Sequence, residues 1–168
     1  MSDNELDLQR LLPIARIVGG LLKERQQTVG VVESSAGGLL SAALLAVPGA
    51  SAYFVGGGVI YTGAARAGLL GIDLAAHPGI RSSSEPYALL AARAIRQRLN
   101  TTWGLCETGA SGPSGNRYGD PAGHTCIGIA GPVERASTLR TGLAYREENM
   151  FRFAERALDD LRAALAEG

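Results

Sequence analysis

The chain has 168 residues, enough for one domain with a substantial buried core. Lysine plus arginine balance aspartate plus glutamate at 16 each and only 5% of residues are aromatic, which argues against a nucleic-acid surface, a charged membrane-binding face or a stacking platform for single strands. No apolar segment is long enough to span a bilayer without glycine or charge. The N-terminus, Met1-Ser2-Asp3-Asn4-Glu5, is acidic and unlike a signal peptide. Cys106 and Cys126 fall in predicted core strands with no metal-ligand spacing, which reads as reduced thiols in a cytoplasmic protein.

Strand and helix patterns alternate along the chain. Leu11, Ile14, Val18 and Leu21 share one helical face, with Pro13 either kinking that helix or marking its first turn. Thr28 to Glu33 reads as the first strand, and Gly37 to Ala46 as a helix stopped by Val47-Pro48-Gly49. Gly57 to Tyr61 reads as a strand, and Ala64 to Leu70 as a short helix closed by Gly71. Ser84-Glu85-Pro86 has the form of a helix start: a capping hydroxyl, an acid for the dipole and a proline in the first turn. That helix is predicted to turn Leu90, Ala94, Ile95 and Leu99 inward.

Strands follow at Thr102 to Glu107, His124 to Gly131 and Ser137 to Gly142. A final helix from Glu147 to Ala166 is predicted to bury Met150, Ala154, Ala157, Leu161 and Leu165, with Glu155 and Asp159 solvated. The order implies an α/β/α sandwich with a mixed, mostly parallel sheet in a single domain over 1–168. Functional loops then gather at the C-terminal ends of the strands.

Two stretches carry chemistry. The first is Glu33-Ser34-Ser35-Ala36-Gly37-Gly38, between a buried strand and a helix. It would hold Ser34 at the strand end and aim the N–H groups of Ala36, Gly37 and Gly38 at an anion or a developing oxyanion. The same serine and glycines also suit plain helix capping. Glu33 reads either as an acceptor for backbone donors or as a substrate contact.

The second stretch is the glycine-rich loop from Thr108 to Gly123. It offers Thr108, Gly109, Ser111, Gly112 and Asn116 for close approach and hydrogen bonding, and Arg117 for phosphate. A solvated flexible loop is the plain alternative. His77 reads as a turn residue before Pro78-Gly79, His124 as a strand-start residue, and Tyr87 and Trp103 as core or interface fillers.

Together these stretches resemble the CinA C-terminal domain family, whose characterised activity is nicotinamide-nucleotide amidase. The family's E-S-C-T-G-G is matched by Glu33-Ser34-Ser35-Ala36-Gly37-Gly38, and its V-P-G-S-S-A by Val47-Pro48-Gly49-Ala50-Ser51-Ala52. Its G-x-V-x-Y-S-N-x-x-K is matched from Gly57 through Tyr61 to Arg66, and its T-G-I-A-G-P-x-G-G by Thr108 to Asn116. The P-V-G-T and G-D-R segments are matched by Pro121-Ala122-Gly123-His124 and Ala144-Tyr145-Arg146.

The resemblance implies hydrolysis of the carboxamide of nicotinamide mononucleotide to nicotinic acid mononucleotide and ammonia. Ser34 is then the nucleophile and Tyr61 the assisting hydroxyl, with Glu33, Ser35, Gly37, Gly38 and the Thr108–Asn116 loop around the nucleotide and Arg146 on its phosphate. It implies a small-molecule nucleotide substrate, a homo-oligomer and no metal or redox cofactor. Larger family proteins carry an extra N-terminal domain, whose activity is not expected of this sequence.

One departure bears on the reaction. The family's lysine position holds Arg66, and Lys23, on the first predicted helix, is the only lysine in the chain. Arginine has no accessible neutral form near neutral pH and cannot serve as a general base. Three readings follow: an amidase whose base is Tyr61 or His124, an amidohydrolase for a different nucleotide, or a nucleotide-binding sensor with little turnover.

Overall fold

The computed structural model describes residues 7–168; the acidic N-terminus lies outside the described residues. Five strands form one sheet in the order β2-β1-β3-β4-β5: β1 (Val29–Glu33), β2 (Phe54–Val59), β3 (Trp103–Ala110), β4 (His124–Ala130) and β5 (Arg135–Arg140). β1 pairs in parallel with both β2 and β3, while β4 runs antiparallel to β3 and to β5. Four strands therefore point one way and β4 points back.

Side-chain alternation divides the core into two faces. Val29, Val31, Trp103, Leu105, Ile127 and Ile129 pack against α1 (Leu12–Glu24), α2 (Leu39–Leu45) and α5 (Arg146–Glu167). Val32, Cys106 and Cys126 pack on the opposite side against α4 (Glu85–Leu99) and the segment around Leu70. The result is the α/β/α sandwich read from the sequence. Pro13 lies in the first turn of α1, where its missing N–H costs nothing. Ser84 caps α4 by accepting from the Tyr87 N–H, and Asn100 ends it in the left-handed region.

The inward faces of three helices differ from the periodicity reading. α1 buries Leu11, Ala15, Val18 and Leu22, with Ile14 and Leu21 on the flanks. α4 turns Ala88, Ala91, Ala92 and Ile95 inward, while Leu90, Ala94 and Leu99 are only partly buried. The cause is the floor beneath it. A Cβ on Gly104 would lie 1.9 Å from the Ala92 carbonyl oxygen, and one on Gly128 2.3 Å from Ala88 backbone atoms. α4 thus sits directly on sheet backbone, and only its alanine face fits. α5 adds Asn149, Phe151, Phe153 and Leu158 to the buried set in place of Met150.

Between β2 and α4, a single helical turn, α3 (Gly63–Ala65), runs into a π-helical turn (Arg66–Leu70), which Gly71 ends at φ 65°. β2 lies upstream of its predicted position, so Tyr61 falls beyond the strand, at the sheet's C-terminal edge. Among the described residues no helix is long and apolar enough to cross a membrane. Because Gly104 meets backbone and not a movable side chain, Gly104→Ala should destabilise the fold by about 3 kcal/mol in chemical denaturation.

Candidate active site

β1 ends at Glu33, and the next five residues turn the chain into α2. Gly37 and Gly38 both have positive φ, 68° and 103°, so their first contribution is a backbone path closed to most other residues. Two carboxylates hold the turn from beneath. The Val32–Cys106 pairing places Glu33 and Glu107 as neighbours on the α2 side of the sheet. Glu33 accepts from the N–H groups of Gly38, Leu40 and Ser41 at 2.9–3.0 Å. Glu107 accepts from Ser34 N–H at 3.1 Å, Ala36 N–H at 2.8 Å and the hydroxyls of Ser35 at 2.5 Å and Thr125 at 2.8 Å.

This arrangement corrects the sequence reading of the turn. Gly37 N–H bonds the Ser34 carbonyl, so the N–H groups of Ala36, Gly37 and Gly38 all have internal acceptors. They do not form an open anion hole. Glu33 is fully buried on backbone donors and does not line the site. Burial raises its carboxyl above the ordinary range, against the lowering effect of the Ser41 and Leu40 bonds, and the charge of Glu107 adds to the rise. Ser35 points its hydroxyl into Glu107. Ser34 is the residue of the turn whose side chain is left for chemistry, since among the described residues its hydroxyl has no partner.

Ser34 lies at the wall of a cavity of about 430 Å³, shared with Tyr61, Arg66, Tyr87, Arg117 and Tyr118. Thr108, Gly109 and Asn116 complete the side nearest β3. A second recess of about 260 Å³ adjoins it and contains Ser111, Gly112 and Arg146, with Tyr61, Gly109 and Asn116 common to both. Among the described residues, no carboxylate lines either space. Arg146 bridges the mouth, donating to the Gly112 carbonyl at 2.5 Å and to the Tyr61 hydroxyl at 3.2 Å. Ser111 has a buried hydroxyl without a partner at the second recess.

Arg66 is anchored by Ser82 at 3.0 Å and lies 5.8 Å from the Tyr87 ring centre. Its buried Nε–H is unpartnered. Tyr87 is pushed up to about 12, chiefly by burial. Asn116 folds the long loop over itself, accepting from Tyr118 N–H and Asp120 N–H and donating to the Asp120 carboxylate. Asp120 is also clamped by Arg81 at 2.7 and 3.1 Å. Burial opposes ionisation of Asp120, but the Arg81 and Asn116 bonds outweigh it and hold the carboxyl below its usual range.

Of the residues singled out from the sequence, Ser34, Tyr61, Arg66, Thr108, Gly109, Asn116 and Arg117 meet at the main cavity, and Ser35, Ser111, Gly112 and Arg146 at the second. His124, an alternative base in the sequence reading, is outside both. Its Nε2 is 2.9 Å from the Ser83 carbonyl and its other ring nitrogen is buried without a partner. Lys23 bonds the Pro48 carbonyl at the far end of α1. Glu107, Ser82, Arg81 and Tyr118 escaped the sequence reading. A glutamate inside an otherwise apolar strand was the available signal for Glu107. Among the described residues no group of three or more His, Cys, Asp or Glu is placed to hold a metal ion.

Residues 12–165 match the model of the CinA C-terminal domain. The chain belongs to this family. A CinA-like protein of Cyanothece sp. is 43% identical over 120 residues, covering 71% of this chain and 29% of that protein. One from Synechocystis sp. is 39% identical over 158 residues, covering 90% of this chain and 37% of the relative. The chain thus spans about a third of the length of the curated relatives it matches. A CinA superfamily protein from Klebsiella pneumoniae shares the fold at TM-score 0.88 and 21% identity, over 94% of this chain and 99% of the other. The competence/damage inducible protein CihA from Agrobacterium tumefaciens aligns at TM-score 0.85 and 26% identity, over 94% and 96%.

In this CinA domain the Ser34 turn depends on Glu107. Glu107→Ala strands the Ser34 and Ala36 amides and the buried Ser35 hydroxyl and should cost about 3 kcal/mol or more in a denaturant titration. The Asp120 tie has a pH signature. The folded-state carboxyl lies below its unfolded value, so the stabilisation is full above the unfolded value and fades as pH falls through the folded one. Melting curves between about pH 5 and about pH 3 should show wild type losing more stability than Asp120→Asn.

Proposed function

We propose that this domain hydrolyses the carboxamide of nicotinamide mononucleotide, with Ser34 as nucleophile. The observation that carries the reading is a half-buried serine, on a turn pinned by two carboxylates, opening into a cavity walled by Arg66 and Arg117 and free of acidic groups. In a chain of zero net charge this is a local cationic site, suited to a phosphorylated substrate. Arg146, the partner-free Ser111 hydroxyl and the surrounding glycines make the adjoining recess a receptor for the phosphate.

The roles follow from the chemistry of each group. Ser34 attacks the amide carbon, and Tyr61 stands at the junction of the two spaces to orient the substrate. Arg66 supplies positive charge and N–H donors to the oxygen that becomes negative as the tetrahedral intermediate forms. It takes no proton. The internal bonding of the Ala36, Gly37 and Gly38 amides leaves this work to side chains. The absence of a lysine at position 66 also favours a second reading, a nucleotide sensor that binds with little turnover.

The test is release of ammonia and nicotinic acid mononucleotide from nicotinamide mononucleotide. Ser34→Ala should lower the rate at least about 10³-fold while retaining the thermal shift that the nucleotide produces. A thermal shift without ammonia at any pH would support the sensor. Arg66→Lys should not raise the rate; a large gain would show that position 66 is where the base belongs.

A further inference from the structure

Among the described residues, the main cavity is lined by no lysine, histidine or carboxylate, yet by three phenols: Tyr61, Tyr87 and Tyr118. They differ sharply in surroundings. Tyr87 is 4% exposed, packed into the α4 core, and burial holds its proton. Tyr61 is 62% exposed and its oxygen meets one cation, Arg146, at 3.2 Å. Tyr118 lies among several. Arg117 donates to its oxygen at 3.0 Å, and the guanidinium carbons of Arg81 and Arg117 each lie 5.0 Å from its ring centre.

We infer that Tyr118 is the general base that activates Ser34, replacing a lysine amine with a phenolate held by arginines. The inference rests on the proposed amide hydrolysis for its substrate, but its geometry is independent of it. Tyr118 and Ser34 line the same cavity. The loop fixes Tyr118 there through its N–H bond to Asn116 at 3.0 Å. Arg81 is itself fixed by Asp120.

The charged and titratable groups around the phenol are Arg117 and Asp120 from its own loop, Arg81 beside α4, Arg66 from the π turn, and Tyr87 from α4. Asp120 is neutralised by Arg81, so the field at Tyr118 is cationic. Its hydroxyl is accordingly lowered from the ordinary tyrosine value, first by the Arg117 bond, against burial, with Ser82 and Arg66 contributing.

The proton path closes without another reagent. The Tyr118 phenolate oxygen takes the Ser34 Oγ proton as Oγ bonds to the amide carbon and the carbonyl pair moves onto oxygen. Collapse of that intermediate breaks the C–N bond, Tyr118 returns the proton to nitrogen, and ammonia leaves an ester on Ser34. Water then attacks the ester, giving its proton to Tyr118. That proton passes to Ser34 Oγ as the carboxylic acid departs.

The experiment compares wild type, Tyr118→Phe and Tyr61→Phe by the rate at which phenylmethylsulfonyl fluoride modifies Ser34, read by mass spectrometry across pH. Phenylalanine keeps the ring between the arginines and removes only the oxygen, and melting temperature checks the fold. Ammonia release from nicotinamide mononucleotide is measured in parallel. The expected result is a loss of about 100-fold or more in Ser34 modification in Tyr118→Phe. The wild-type rate should rise with pH to a midpoint below the ordinary tyrosine value of about 10, and this rise should vanish in the variant. Equal modification rates in wild type and folded Tyr118→Phe would overturn the inference, as would a loss confined to Tyr61→Phe. Tyr118-dependent modification without ammonia release would uphold the base and reject the substrate. No modification of Ser34 in wild type would overturn the base, and no ammonia release beside it would reject the substrate as well.

Discussion

Five backbone amides at the end of β1 are held by two buried carboxylates, and the site is built on that grip. Glu33 and Glu107 stand side by side where their negative charges repel and where neither has bulk water to solvate it. Such a pair persists in a core only because several donors meet each carboxylate. The amide donors come from the turn and the first residues of α2, with the Ser35 and Thr125 hydroxyls added. The turn and the carboxylates therefore stabilise each other. Ser34 inherits a rigid backbone although its own side chain is free, which is the condition a positioned nucleophile needs.

The charge pattern around the serine completes this division of labour. Acids lie below the turn on the α2 side of the sheet, and arginines lie above it in the cavity. The balanced composition conceals that separation. Arg66 reaches the cavity from the π turn after β2, Arg117 from the long loop after β3, and Arg146 from the first residue of α5. Three separate segments thus deliver positive charge to the C-terminal ends of the parallel strands, where open α/β sheets place their ligands.

Much of this was legible in the sequence, and the limits have physical causes. The order of strands and helices and the two glycine-rich turns follow from local periodicity and turn chemistry, and the serine stood out for the same reason. The inward face of α4 did not, because it is dictated by Gly104 and Gly128 on other strands, which favour alanine over leucine at the contact. Of the turn amides expected to be free, Ala36 bonds Glu107, which is distant in sequence and arrives through the β1–β3 pairing, while Gly37 and Gly38 are taken by the nearby Ser34 carbonyl and Glu33. Nothing local in the sequence marks Tyr118, one aromatic in a polar loop. Its neighbour Arg117 bonds its oxygen, but Arg81 and Arg66 come from other segments and reach it only in the folded chain.

The reversal of direction at β4 has a further consequence. A parallel crossover ties loop length to a helix that must repack on the sheet, but the β3–β4 connection is a hairpin closed at its base by the Gly123–Ala110 hydrogen bond. Residues 111–123 can be lengthened, shortened or exchanged while both strands keep their register. The entropic penalty grows by only about 0.6 kcal/mol for each doubling of loop length. The fold therefore holds the end of β1 fixed while the segment that carries Arg117 and Tyr118 can vary beside it. Insertion into the hairpin alone can reshape the wall of the cavity, with the sheet and the Ser34 turn left as they are.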